Sequence, residues 1–182
     1  MTGKKMTVNK SNLVSSVEHR FISKSDVAVK IHIHLPDDTF THLSIGFIKS
    51  NEHEAIERAI SIRDEIGENA WGKYWKQVLA DRYIFTRLPH TLEPKLIFKP
   101  RGDTFDECYL ARFPVFVDGK KKMKTIVRSI GKRSREEAYK QTKNAILDGY
   151  KDEIDIMLYM GRITANDLFL TLPDDKKDKG KK

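Results

Sequence analysis

The stretch that decides the fold is Tyr109-LARFPVFVDGKKKMKTIVRSIGKRSREEAYK-Gln141. Ala111, Phe113, Val115 and Val117 alternate with Arg112, Pro114 and Phe116, the two-residue period of a half-buried strand. Asp118-Gly119-Lys120 turns the chain into a returning strand. Ser134-Arg-Glu-Glu137 then has the form of a capping box, and Ala138, Tyr139, Thr142, Ala145 and Ile146 supply a helical stripe. Loop length decides which side chains share a face, because a one-residue slip reverses them all. With a three-residue loop, Met123, Thr125 and Val127 join the apolar face, while Lys122, Lys124 and Arg128 share the outer face with Arg112. A two-residue loop would turn the lysines inward, which burial energetics disfavours, so the three-residue loop is expected.

An earlier stretch repeats the pattern: Val27-AVKIHIHLPDDTFTHLSIGFIKSNEHEAIER-Ala59, 82 residues upstream and 83 after a one-residue adjustment near the third strand. Val29, Ile31, Ile33 and Leu35 alternate with Lys30, His32 and His34; Pro36-Asp37-Asp38 turns the chain; Leu43, Ile45 and Phe47 follow with the same period. In this register His42 faces His32. Asn51-Glu-His-Glu54 is the matching capping box, opening a helix with Ala55, Ile56, Ala59, Ile60, Ile62 and Ile66. Glu18-HRFIS and Lys95-LIFKP are candidate first strands. Trp71, Tyr74, Trp75, Val78 and Leu79 lie at the spacing of an amphipathic helix.

The expected fold class is α+β: two tandem β-β-β-α units, each a three-stranded antiparallel sheet covered by one helix, with a helical linker and a helical C-terminal extension. The expected boundaries are a flexible N-terminal segment over 1–16, a first unit over 17–67 and the linker over 68–94. A second, basic unit follows over 95–150, then C-terminal helices over 151–172 and a disordered charged tail over 173–182.

Charge separates the two copies. The 182-residue chain has a formal net charge of +8, and residues 109–150 hold eleven basic against four acidic side chains. Residues 27–67 hold four basic and seven acidic. The hydrophobic fraction of 39% is enough to fill a core. No apolar run approaches the roughly 18 residues of a membrane span, and the N-terminus lacks the apolar segment of a secretory signal. The single cysteine, Cys108, suits a reducing compartment. The expected setting is the cytoplasm of a bacterial host, in association with the nucleoid.

The stretch Lys121-KMKTIVRSIGKRSREEAYKQTKNA-Ile146 resembles the last strand and helix of the plant ethylene-response-factor (Apetala-two-like) DNA-binding fold. It is most similar to the versions found in bacteriophage homing endonucleases and mobile-element proteins. The shared features are a basic strand (Lys124 to Arg128), a glycine turn (Ile130-Gly131-Lys132) and a Glu136-Glu137-Ala138 helix start. The resemblance covers residues 95–150 well and 17–67 weakly. It implies reading of double-stranded DNA by the sheet in the major groove. Pro114, inside the middle strand, and the neutral outer row of the first unit depart from the family pattern.

The expected DNA-binding residues are Arg112, Lys120, Lys121, Lys122, Lys124, Arg128, Lys132, Arg133 and Arg135, with Lys30, His32 and His34 in the first unit. An ordinary solvated sheet face is the competing reading. His32, His34 and His42 share a patch, but no fourth ligand is placed beside them, so no metal is expected. No cofactor, small-molecule substrate or membrane partner is expected either. Without a phosphate loop or paired catalytic acids, the chain reads as a non-enzyme. The favoured function is a sequence-specific transcriptional repressor of phage or mobile-element origin, with tandem units or a homodimer lengthening the site. An accessory homing-endonuclease component, or a basic RNA- or host-protein-binding protein, is the alternative.

Overall fold

Each of the two alternating stretches folds into a three-stranded antiparallel sheet with a helix packed on one face. The structure, a computed structural model, describes residues 20–131 and 134–172. The expected segments 1–16 and 173–182, together with Lys132 and Arg133, lie outside the described residues. The chain divides into two compact units, residues 1–87 and 88–182. The fold is α+β, with sheet orders β1-β2-β3 and β4-β5-β6.

In the first unit β1 (Ile22–Lys24), β2 (Ala28–His34) and β3 (Phe40–Gly46) precede α1 (Glu52–Trp71), α2 (Trp75–Ala80) and α3 (Ile84–Arg87). Val29, Ile31 and Ile33 are completely buried while Lys30 and His32 are exposed, as a period of two requires. Pro36, Asp37 and Asp38 form a three-residue loop closed by the Leu35 N–H to Thr39 oxygen bond of 2.8 Å, with Asp38 left-handed at φ 62°. The stripe Ala55, Ala59, Arg63, Gly67 and Trp71 is the buried side of α1. Trp71 donates from Nε1 to the His34 carbonyl at 2.8 Å. Gly67 is required because a Cβ there would enter the Trp75 ring.

Two local expectations give way. Asn51 does not cap α1 with its side chain; Oδ1 instead accepts the Ile48 N–H at 2.8 Å, and a 3-10 turn over Lys49–Asn51 starts the helix. The stripe beginning at Trp71 is not one helix. Gly72 takes φ 50°, so α1 ends there and a 3-10 turn over Gly72–Tyr74 leads into α2.

In the second unit β4 (Lys95–Arg101), β5 (Thr104–Val117) and β6 (Lys120–Ser129) precede α4 (Arg135–Tyr150) and α5 (Ile154–Tyr159). Ser134 caps α4 as expected, its hydroxyl accepting the Glu137 N–H at 3.1 Å. Tyr139 packs edge-on against Tyr109, ring centroids 5.6 Å apart, and Ala138 completes that cluster with Leu96 and Ile130 beside it. Gly149 sits where a Cβ would strike Phe113. Helix α4 therefore covers the face bearing Tyr109, Ala111 and Phe113. Glu93 ties this helix down: its carboxylate pairs with Lys143 Nζ, which is fully buried, and accepts the Tyr139 hydroxyl at 2.7 Å. Burial, then that bond and the charge of Glu93, push the Tyr139 phenol well above its ordinary range.

Candidate nucleic-acid interface

The register of the second hairpin corrects the sequence reading. Val117 faces Lys120, so the loop is Asp118-Gly119, two residues, with φ 53° and 69°. Positive φ at both central positions is the mirror-image turn that matches strand twist, and Asp-Gly is suited to it. Turn chemistry thus overrides the argument from lysine burial. Directly opposed residues share a face, so Arg112 stands with Thr125, Pro114 with Met123 and Phe116 with Lys121. Lys122, Lys124 and Arg128 face Val115, Phe113 and Tyr109 instead, on the side that α4 covers. The expected single outer row of Arg112, Lys122, Lys124 and Arg128 does not exist.

The lysines nevertheless avoid burial. Lys120, Lys122 and Lys124 are all exposed at the free end of the hairpin, alongside Val117, Val115 and Phe113. Arg128, closer to the helix, is half-buried, and its Nε is enclosed without a partner. Lys121 is drawn into an ion pair with the buried Glu153 and lies 5.5 Å from the Phe116 ring. Arg135 donates from Nε to the Tyr109 hydroxyl at 3.3 Å. These three cations are committed to packing in a way that Arg112 and the tip lysines are not.

The face of Arg112 gains cations the sequence reading missed. Lys95, Lys99 and Arg101 oppose Leu110, Asp106 and Thr104, which share their side of the sheet with Arg112. All three are exposed, and Arg101 Nη1 lies 3.5 Å from Asp106. The alternation in Lys95-LIFKP-Arg101 sets the three cations on one side of β4 with Ile97, but only the register with β5 shows that this is the side of Arg112. The face is not uniformly open: Cys108 and Pro114 on it are buried, whereas Arg112, Phe116, Met123 and Thr125 are exposed.

Pro114 does not interrupt β5. Pairing with β4 ends at Leu110, and beyond it β5 pairs only with β6, leaving a two-stranded ribbon from Ala111 to Val117. A strand residue without an N–H is accommodated where the ladder has a free edge.

In the first unit Lys30 and His32 are exposed on the outer face, opposite Ser44 and His42. His34 is half-buried, stacked on Phe85 at 4.0 Å with an interplanar angle of 9°. The three histidines do not converge on one point: His32 and His42 meet at Nδ1, 2.6 Å apart, and His34 turns to Phe85. Among the described residues no group of three or more His, Cys, Asp or Glu is placed to hold a metal ion. No helix of the described residues is long and apolar enough to cross a membrane.

Chemically, the second unit offers an exposed guanidinium with an adjacent hydroxyl, flanked by cations from a neighbouring strand and from the hairpin tip. That set can neutralise phosphates and donate paired hydrogen bonds. No family model, curated protein or solved structure matches this chain.

Proposed function

We propose that the second unit binds double-stranded DNA through its sheet and that the chain acts as a sequence-specific DNA-binding regulator. The observation that carries this reading is the two-stranded β5–β6 ribbon, which bears exposed Arg112 and Thr125 on one side and exposed Lys120, Lys122 and Lys124 on the other. The major groove, about 12 Å wide, admits a two-stranded ribbon of this kind. With a ribbon inserted, one face meets base edges while cations on the other side and on β4 lie toward the phosphate walls. Arg112 is then the base-reading residue, donating to guanine, and Lys95, Lys99, Arg101 and the tip lysines hold the backbone. The role of a repressor of phage or mobile-element origin rests on the family resemblance of residues 95–150.

The test is selection from a random duplex library followed by affinity measured across salt concentrations. Replacing Lys120, Lys122 and Lys124 together by Ala should weaken binding to every duplex and reduce the salt slope by about 2–3. Arg112→Ala should relax the preference at one position while leaving that slope nearly unchanged, a loss of about 1–3 kcal/mol in discrimination. Absence of duplex binding, or a salt slope unaltered in the triple variant, would overturn the reading. Exposed Phe98, Phe105 and Phe116 favour a second reading, stacking of single-stranded RNA. Tighter binding of single-stranded RNA than of duplex at equal salt would select it.

A further inference from the structure

The cross-strand pair His32–His42 belongs to the first unit and has no part in the proposed duplex contact. The two residues are directly opposed in the β2–β3 ladder, both exposed, with ring centroids 4.9 Å apart and Nδ1 atoms 2.6 Å apart. As a neutral pair, one Nδ1 carries the proton and donates to the lone pair of the other. If both rings carry their proton on Nε2, each Nδ1 presents a lone pair instead, and turning the rings away from the line between the two nitrogens lets both meet one ion. We propose that His32 and His42 chelate a first-row divalent cation of tetragonal geometry, copper(II) or nickel(II), through their Nδ1 atoms.

The spacing of the two nitrogens bears on the geometry. Two nitrogens about 2.0–2.1 Å from a metal lie about 2.9 Å apart at a right angle and about 3.4 Å apart at the tetrahedral angle. The observed 2.6 Å is a hydrogen-bond separation, so the rings must part by a few tenths of an ångström to hold an ion at a right angle and by more at the tetrahedral angle, which favours the former. Imidazole suits these ions, and copper(II) binds most tightly in the divalent series. The scaffold is fixed in advance, because burial of Val29, Ile31 and Ile33 and the left-handed Asp38 in the loop lock the register that sets the rings opposite each other. His34 does not supply a third ligand: Nδ1 lies 2.9 Å from the Leu35 carbonyl and Nε2 lies 3.4 Å from Asp38. The remaining coordination positions open to solvent, where water or an exogenous ligand completes the set.

The experiment is titration of the untagged full chain with copper(II), read by calorimetry and by the nitrogen hyperfine pattern in electron paramagnetic resonance. One ion per chain with two equivalent nitrogen ligands is expected. His32→Thr and His42→Thr should each lower affinity by more than the roughly tenfold lost with even an outer-shell partner, and each should leave one nitrogen in the spectrum. His53→Thr, on the exposed side of α1, should change neither. Should a Thr variant lose its circular dichroism, His42→Asn replaces it. A wild-type spectrum with one nitrogen, or equal affinity in wild type and the His42 variants, overturns the proposal.

Discussion

The hairpins β2–β3 and β5–β6 begin from the same alternating pattern and end with different faces turned to solvent. On the middle strands Ile31 and Phe113 are equivalent, 82 residues apart, yet Ile31 faces Leu43 and Phe113 faces Lys124, an offset of 81 on the third strands. The missing residue is in the loop. Pro36-Asp37-Asp38 needs one left-handed residue after the turn, whereas Asp118-Gly119 places both of its residues there. That difference puts His42 opposite His32 on the outer face of one sheet and puts Lys124 opposite buried Phe113 in the other. A basic residue on a third strand therefore says little about which face it serves until the turn is known.

The comparison extends to the helices, each of which buries one cation: Arg63 on α1 and Lys143 on α4. Their partners differ. Lys143 pairs with Glu93, from the segment preceding β4, whereas Arg63 pairs with the adjacent Asp64 at 2.8 Å and also donates to the Arg20 carbonyl at 3.4 Å. Glu93→Ala should be the most costly change, about 2–3 kcal/mol, because it strands a buried ammonium; the partial exposure of Glu93 keeps the loss at the low end. Asp64→Ala should cost about 1–2 kcal/mol: Arg63 retains the Arg20 carbonyl, but the buried Trp75 Nε1–H loses Asp64 as its acceptor at 3.2 Å. Hydrogen exchange resolved by unit checks both, and equal losses would erase the distinction.

Each helix also carries a glycine beneath an aromatic ring. Gly67→Ala should destabilise the first unit by about 2 kcal/mol, despite the better helix propensity of alanine, because its Cβ meets the rigid indole of Trp75. Gly149→Ala should cost less, because the added Cβ would meet Phe113 Cδ2, Cβ and Cγ at 2.7–3.0 Å, a milder overlap than the still closer one with the Trp75 indole. Thermal denaturation ranks the two; the reverse order would mean that the first helix shifts more readily than the second.

The loops themselves give the smaller effects. Gly119→Ala, at φ 69°, should cost about 1 kcal/mol, whereas Asp38→Gly, at φ 62°, should cost less, as steric relief offsets lost chain stiffness and the lost 3.4 Å contact with His34. A neutral Gly119→Ala would argue against the two-residue turn. The smallest effect concerns Asp37, whose carboxylate accepts the Thr39 hydroxyl at 2.6 Å and N–H at 3.1 Å and is held below the usual carboxylate range, the hydroxyl first. A depressed folded-state pKa adds stability above the ordinary carboxylate pKa, and that stability is lost as pH falls through the folded value. Thr39→Val should move the Asp37 midpoint upward in an NMR titration, and an unmoved midpoint would assign the shift to the backbone bond alone.

Alternation and capping residues were enough to place both hairpins, the buried rows Val29-Ile31-Ile33 and Ala111-Phe113, and the start of α4 at Ser134. They were also enough to set His42 opposite His32, since a three-residue loop admits that register. These features are local: each depends on residues within a turn or a strand pair of one another. The faces of Lys122, Lys124 and Arg128 were not settled this way, because two loop lengths fitted the same sequence. The backbone of Asp118 and Gly119 decided between them. Nor did spacing reveal that Arg112 shares its face with Lys95, Lys99 and Arg101, which depends on pairing across β4 and β5.

By itself, then, the amino-acid order determined the two β-β-β-α units, their cores and the concentration of positive charge in the second. Only the tertiary structure decided which cations stand together and which are spent on packing, as Lys121 is on Glu153 and Lys143 on Glu93. The physical reason is that hydrophobic periodicity is written along the chain, whereas the neighbours of a charged side chain are set by strand register and by contacts between residues distant in sequence.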